Sequence, residues 1–523
     1  MEYNRMIKII RYFFIAFVVI SICFFAVFIF IFRPYSFGDP PLIPFGWGYH
    51  LSDKFKGQVA KIKPIKGIHI PQNPFLNDST SQNMHADTYA SDTHPIGGPL
   101  GQKPTIKSYS HGRVGGECAC VTFDSRNNIV AMCATFKEFS LLLLSPKNLK
   151  PLARLNLPPR ASNKTYNLRK IMSDTSGGAY FFLDNLDRAV LVDADQNLKI
   201  IAQRWENGQP QFVIEKTFDL LPLLIKFTSR NDVFTSVLPD WNGRYWFVSR
   251  GGIVGYLDPI TKATHAIKLQ NEEIQNSFVI DENGVYVVSD SALYGITIEE
   301  GNDNPVIIWR ETYEISSLKK PGTITNGSGS TPTLIGEKFI AITDNATPKI
   351  NVLVYRRGFS TIKSRLVCQV PVFKAGKSAT ENTLIGLGNS IIVENNFGYD
   401  LFPTMMFGKT GEGGLSRVDF NEETGEGSII WTNPIISQTT VPKLSLETGL
   451  IYVYAKDPSV RWGIDAYYFS AIDFETGETV FQQLTGTGVS YDNNWAPITI
   501  GPDRSAYIGV LRGLVKISDG DND

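Results

Sequence analysis

The chain has 523 residues, of which 43% are hydrophobic and 12% aromatic, with 45 Gly, 29 Pro and a formal net charge of −1. That balance, without any Lys/Arg-rich block, excludes nucleic acid as an expected partner. So many glycines, prolines and aromatics fit strands joined by turns, and all-β barrels and propellers routinely exceed the usual size of one domain.

The amino end carries the clearest signal. Tyr12 to Phe32 is a run of 21 uncharged residues with eight phenylalanines. At ~1.5 Å per residue it reaches about 31 Å as a helix, close to the bilayer core. Arg5, Lys8 and Arg11 precede it and only Arg33 follows closely. The positive-inside rule therefore puts residues 1–11 in the cytoplasm and the rest beyond a plasma or inner membrane. A cleaved signal peptide is the competing reading, with Ser36-Phe37-Gly38 as a small-x-small site. The run exceeds a typical signal core, which favours an uncleaved anchor over residues 12–32. Residues 33–104 are rich in Pro, Gly, Ser and Asn without sustained periodicity, and read as a linker or a strap on the next domain.

From residue 105 to 523 a unit recurs: an apolar strand, a tight turn, a second apolar strand, then a more polar pair. CVTFDSRNNIVAMCATF opens the first copy, and MSDTSGGAYFFLD, SVLPDWNGRYWFVS and SFVIDENGVYVVSD follow. TPTLIGEKFIAITD, NTLIGLGNSIIVEN, VPKLSLETGLIYVYA and APITIGPDRSAYIGVL complete eight. Alternation with Gly/Asp/Asn turns predicts antiparallel strands, and one short helix is expected around Phe218–Phe227. The expected fold is all-β, a propeller of eight four-stranded blades, with seven as the alternative. The eighth copy ends at LVKISD after three strands, so Thr105–Ser110 is expected to supply the missing outer strand. A turn centred between Arg126 and Asn127 would set Cys120 opposite Cys133, as a disulfide or as buried free thiols.

AIDFETGETVF, residues 471–481, resembles the A-x-D-x-x-x-G-x-x-x-W repeat of pyrroloquinoline-quinone-type propellers, with Phe481 in place of Trp. RVDFNEETGEGSIIW is similar, with extra residues between Asp419, Gly425 and Trp431. The resemblance implies a blade-docking role: Asp and Gly shape an outer turn, and the aromatic packs across it. It does not imply a cofactor. That family's adjacent-cysteine pair, seen in its alcohol dehydrogenases, is absent from the sequence.

In a propeller, residues just before the first strand and just after the second converge on one face. A turn at Leu387-Gly388 would pair Glu381 with Glu394 and Asn382 with Val393. Two opposed carboxylates call for a cation or an arginine between them. Glu381, Asn382, Glu394 and Asn395 are thus candidate ligands for a hard cation such as calcium. The same operation brings Asn167, Asp184, Asn276, Asp290, Thr331, Asp344, Asn345, Thr440 and Asp457 to this face. Arg250, Arg512, Asn493 and Asn494 arrive there as candidate cofactor contacts, while Trp495 reads as a core aromatic. The competing account is that Asp and Asn gather at strand ends for their own backbone hydrogen bonds. Five of the six histidines precede the first unit and read as surface groups. With no activated nucleophile or base visible, the sequence favours a membrane-anchored, extracytoplasmic module that binds a small molecule or protein through a polar funnel. The alternative is an enzyme, a quinone-cofactor dehydrogenase or a calcium-dependent hydrolase resembling the lactonase propellers.

Overall fold

The computed structural model describes residues 11–25, 42–112, 115–135, 138–165, 167–360, 362, 364–400, 403–404, 408–459 and 465–520. Among these, eight antiparallel sheets are the eight blades, each meandering outward from an inner strand, which in six of them has only two or three residues. Blade 1 opens with Glu117–Phe123 and Ile129–Ala134, blade 2 with Phe182–Leu183 and Ala189–Val192, and blade 3 with Phe234–Pro239 and Tyr245–Ser249. Blade 4 opens with Val279–Asp281 and Gly284–Val288, blade 5 with Thr333–Ile335 and Phe339–Thr343, and blade 6 with Ile385–Leu387 and Ser390–Glu394. Lys443–Ser445 and Leu450–Lys456 begin blade 7, and Ile498–Ile500 and Ala506–Val510 begin blade 8. The ring closes as expected: Thr105–Ser110 pairs antiparallel with Gly513–Ser518 as the outer strand of blade 8. The short helix falls at Leu221–Phe227.

The core lies between blades. One cluster joins Phe182 and Val190 of blade 2 to Trp246 and Phe247 of blade 3 and to Val285 of blade 4. Another joins Ala341 and Val354 to Ile391 and Val418 across blades 5 and 6. The repeat motif works at such a junction. Asp473 accepts the backbone N–H groups of Glu475 and Thr476, which fixes the turn. Trp431 of blade 6 lies over Gly477 and donates its indole N–H to Phe474 O at 3.0 Å. A Cβ on Gly477 would stand 2.4 Å from Trp431 Cδ2, at a left-handed φ of 73°. Gly477→Ala is therefore expected to cost about 2 kcal/mol, read as a lower urea midpoint. In RVDFNEETGEGSIIW the extra residues move the turn along, and Asn421 rather than Asp419 caps it. Phe481 stacks on Phe55 of the strap instead of a neighbouring blade.

The segment before residue 105 is the strap of the two expected readings, and it runs further into the ring than a strap on the surface would. It is no loose linker: Phe55–Gly57 adds a strand outside blade 7, and Thr93–His94 lies parallel to that blade's inner strand. Between them the chain circles inside the propeller and satisfies inner-strand edges. Asn73 Nδ2 donates to Pro239 O, and Asn77 N to Leu183 O. Ile280 N, Leu334 N, Gly386 N and Leu444 N donate to the carbonyls of Thr88, Tyr89, Ser91 and Asp92. Residues 73–94 thus plug the channel that the sequence suggested as an open polar funnel. The reason is physical, since inner strands of two or three residues leave edge groups that need partners.

A further correction concerns cysteine. The turn after Phe123 is one residue tighter, and a bulge between Cys118 and Cys120 sets Cys118 opposite Cys133. Cys118 and Cys133 form the disulfide, and Cys120 is a buried free thiol facing Met132. Residues 11–25 form a helix, and no helix among the described residues is long and apolar enough to cross a membrane. Fifteen residues rise only ~22 Å. The rest of the apolar run, from 26 to 32, lies outside the described residues, as do residues 1–10.

Candidate functional site

Residues flanking the inner strands of seven blades enclose a chamber of about 180 Å³, open to solvent at its mouth. Glu117, Tyr180, Asn276, Thr331, Glu381, Asn382, Val441 and Asn494 come from the starts of inner strands, while Leu511 and Arg512 follow a second strand. Much of the wall is apolar, including Ala119, Phe139, Ile171, Met172, Ala179 and Val489. The plug supplies the floor through Met84 and His85.

That floor is held from below. Lys443, 1% exposed, donates to Met84 O at 2.9 Å and forms an ion pair with Asp92, 0% exposed. Asp92 Oδ1 lies 3.6 Å from His85 Nδ1. The other ring nitrogen, Nε2, lies 3.4 Å from the hydroxyls of both Thr331 and Thr383. Burial holds the imidazole below its ordinary pKa, only partly opposed by Asp92. The expectation of surface histidines is corrected here, because His85, His94 and His111 are all buried. The strap carries His85 and His94 into the channel.

Two buried glutamates, Glu117 and Glu381, stand on the wall. Burial pushes Glu117 up to about 8, although the backbone N–H of Asn494 donates to its Oε1 at 2.9 Å. Glu381 is likewise pushed up to about 8 by burial, and Ile324 N donates to its Oε1 at 2.7 Å. Its Oε2 has no hydrogen-bond partner among the described residues, nor has Asn382 Oδ1. Arg160 lines the chamber too. Its guanidinium donates to Asp174 O and to Ile171 O, and burial lowers its pKa.

The structure redistributes the candidate ligands. The sixth hairpin turns one residue later, pairing Leu387 with Ser390. Glu381 therefore meets Asn396, whose Oδ1 accepts the Glu381 N–H at 2.8 Å, and not Glu394. The side-chain amide of Asn382 donates to Glu394 Oε2 and to Thr440 O. Asn395 is consumed by backbone: its Oδ1 accepts Ala379 N and Phe397 N, and its amide donates to Lys377 O and Gly413 O. Of the four, Glu381 and Asn382 reach the chamber. No cluster of three or more His, Cys, Asp or Glu among the described residues could hold a metal ion. Two free oxygens also fall short of the ~6–8 that calcium takes.

The other candidates divide similarly. Asn494 lines the chamber, its amide donating to Met172 O at 3.0 Å and its Oδ1 accepting the Tyr399 hydroxyl. Asn493 is structural, donating to Ala496 O and Gly509 O. Arg512 lines the wall, and its Nε donates to Ser110 Oγ at 3.3 Å. Arg250 stands behind the wall, donating to Thr175 Oγ1 at 3.2 Å and Ser173 O at 3.5 Å. Asp184 is at the opposite face, because the inner strand of blade 2 is Phe182–Leu183 and Asp184 starts its turn, paired with Arg188. Asn167 is exposed beside a short helix. Trp495, expected in the core, lines the chamber edge-on to Tyr399. Glu117, Arg160 and His85 escaped the sequence reading, although Glu117 sits just where the strand-start rule points.

No family model matches the chain. An uncharacterized protein of Archaeoglobus fulgidus is 26% identical over 314 residues, covering 54% of this chain and 60% of that relative. Among solved structures, a quinohemoprotein alcohol dehydrogenase of Pseudomonas putida is similar at a TM-score of 0.52 and 10% identity, over 86% of this chain and 81% of that one. BamB of Moraxella catarrhalis matches at 0.41 and 11%, over 81% and 96%. The fold is an eight-bladed propeller, similar in its overall course to that dehydrogenase.

Proposed function

We propose that this protein is a membrane-anchored, extracytoplasmic binding module that takes a neutral small molecule into the chamber. The observation that carries the reading is the pair of unpartnered buried groups on consecutive residues, Glu381 Oε2 and Asn382 Oδ1. With its pKa near 8, Glu381 is mainly protonated at neutral pH. Its Oε1 already accepts an N–H, so Oε2 is left to carry the proton and donate. Asn382 spends its amide on Glu394 and Thr440, so its oxygen is left to accept. A hydroxyl or carboxamide, which both accepts and donates, complements such a pair, while the apolar wall suits an uncharged body. Leaving buried polar groups unpaired is costly, which gives the ligand group its selectivity.

Anchoring is supported by the 21-residue uncharged run and the basic residues before it. The Cys118–Cys133 disulfide supports an oxidising compartment. Propellers of this fold host both binding and catalysis, so the chamber rather than the fold carries the proposal.

The test is thermal unfolding of the detergent-solubilised full chain against a panel of neutral hydroxyl- and amide-bearing compounds. A true ligand at a hundredfold its Kd is expected to stabilise by about 2.7 kcal/mol. The shift should vanish in Ala119→Trp, which fills the chamber, and shrink in Asn382→Leu. If every compound that stabilises the wild type also stabilises Ala119→Trp equally, the chamber is not the binding site.

A further inference from the structure

The plug enters the propeller from a corner with an unusual surface. Leu42, Trp47 and Leu51 are 70%, 93% and 81% exposed, with Phe45 40% exposed between them. Beyond the N-terminal helix, no other ten-residue stretch among the described residues holds three large apolar side chains this exposed. Nor is the exposure that of a slack tail. Ile43 N donates to Ser108 Oγ at 3.0 Å, and Tyr491 OH donates to Ile43 O at 3.0 Å. Thr487 N donates to Phe45 O at 2.8 Å. The Phe45 ring stacks on Tyr49 at 4.4 Å and on Tyr491 at 6.5 Å. Gly46 adopts a left-handed φ of 83° because any Cβ there would strike Thr487 O. The fold fixes this segment by its backbone and by Phe45 while turning Leu42, Trp47 and Leu51 outward.

We propose that this corner, residues 42–51, is a docking surface seated on the lipid bilayer. The inference rests on the anchoring proposed above and goes beyond it, since an anchor alone leaves the propeller free to tumble. Chain length argues for lipid as the occupant. The apolar run ends at Phe32, and Leu42 is ten residues on, so even a fully extended connection keeps it within ~36 Å of the membrane. Tryptophan between apolar neighbours suits the headgroup boundary, where an amphipathic ring is favoured. The corner is also continuous with the site. Val489 and Ser490, two and three residues past the Thr487 that holds Phe45, line the chamber. Docking therefore sets the chamber beside the bilayer surface.

The test uses the full chain reconstituted in phosphatidylcholine–phosphatidylglycerol vesicles, with and without lipids brominated on their acyl chains. Brominated lipid is expected to quench part of the tryptophan emission, and that part should be lost in Trp47→Phe. Alkaline extraction is run on the same vesicles. Protein that resists extraction but is quenched equally in wild type and Trp47→Phe overturns the docking surface and leaves the anchor standing. Protein released by alkali overturns the anchor, and the docking surface with it. Concentration-dependent dimers in detergent that disappear in Trp47→Phe would assign the corner to a second copy of the chain and likewise overturn lipid docking.

Discussion

Lys443→Ala is expected to destabilise the protein by about 3–5 kcal/mol, the largest loss from any single truncation proposed here. Lys443 and Asp92 are buried to within 1% of complete exclusion from solvent. Removing the ammonium leaves a carboxylate in the channel with His85 as its nearest cationic candidate, at 3.6 Å and with a lowered pKa. The damage also spreads along the chain. Lys443 opens the inner strand of blade 7, Asp92 accepts Leu444 N, and Met84 belongs to the chamber floor. One side chain thus ties the plug to the ring at two points. Urea midpoints of Lys443→Ala, Asp92→Ala and the double variant Lys443→Met/Asp92→Leu test this. The double variant should recover much of the loss, because it leaves no unpaired charge in the channel. A Lys443→Ala midpoint equal to wild type would mean that the plug is not held by this pair.

Most of the ring was legible because its signals are local. Alternation in SFVIDENGVYVVSD and the Asp/Asn/Gly turn within it fix both strands of an inner hairpin without knowledge of what they pack against. The closure by Thr105–Ser110 was legible for a different reason, since an eighth unit with three strands needs a fourth. Registers were less secure. A turn placed one residue early in TLIGLGNSII moved Glu381 from Asn396 to Glu394 and made a carboxylate pair that does not exist. The plug was illegible. Its residues make single hydrogen bonds to successive blades, so no period of 2 or 3.6 is imposed on SQNMHADTYASDTH. Its Pro/Ser/Asn composition reads as linker for the same reason. With the plug unseen, His85 and the chamber floor were unseen too. The unpartnered Glu381 Oε2 depends on which loop donates to Oε1, and that loop, at Ile324, is 57 residues away in sequence.

Stability should fall, not rise, as pH increases from about 6.5 to about 8. Glu117, Glu381 and Glu394 are each pushed up to about 8 by burial. In the unfolded chain a glutamate titrates near 4.3. Between those values the folded state keeps the proton and the unfolded state has released it, so each unit of pH favours unfolding by up to ~1.4 kcal/mol per group. Below the unfolded value both states are protonated and these groups contribute no slope. Above about 8 both are ionised and the slope vanishes again. Carboxylates held low, among them Asp174, Asp473 and Asp503, act oppositely, but their stability is lost only as pH falls through the acid range below about 4. Buried His94 and His111, held near 3, and His85, also held low, oppose the glutamates up to the unfolded histidine value of about 6.5, because below it the unfolded chain binds the protons the folded one refuses. The window from about 6.5 to 8 therefore belongs to the buried glutamates. Glu117→Gln isolates one of them, since a carboxamide oxygen can still accept the Asn494 N–H. It should match wild type near pH 5 and exceed it at pH 8 by on the order of 4 kcal/mol. Urea unfolding at the two pH values reads the difference directly. A wild type equally stable at both, with no gain in Glu117→Gln, would mean that these carboxyls ionise freely in the fold. A wall able to hold such charges would suit a cationic ligand, and the neutral hydroxyl- or amide-bearing molecule proposed for the chamber would lose its physical basis.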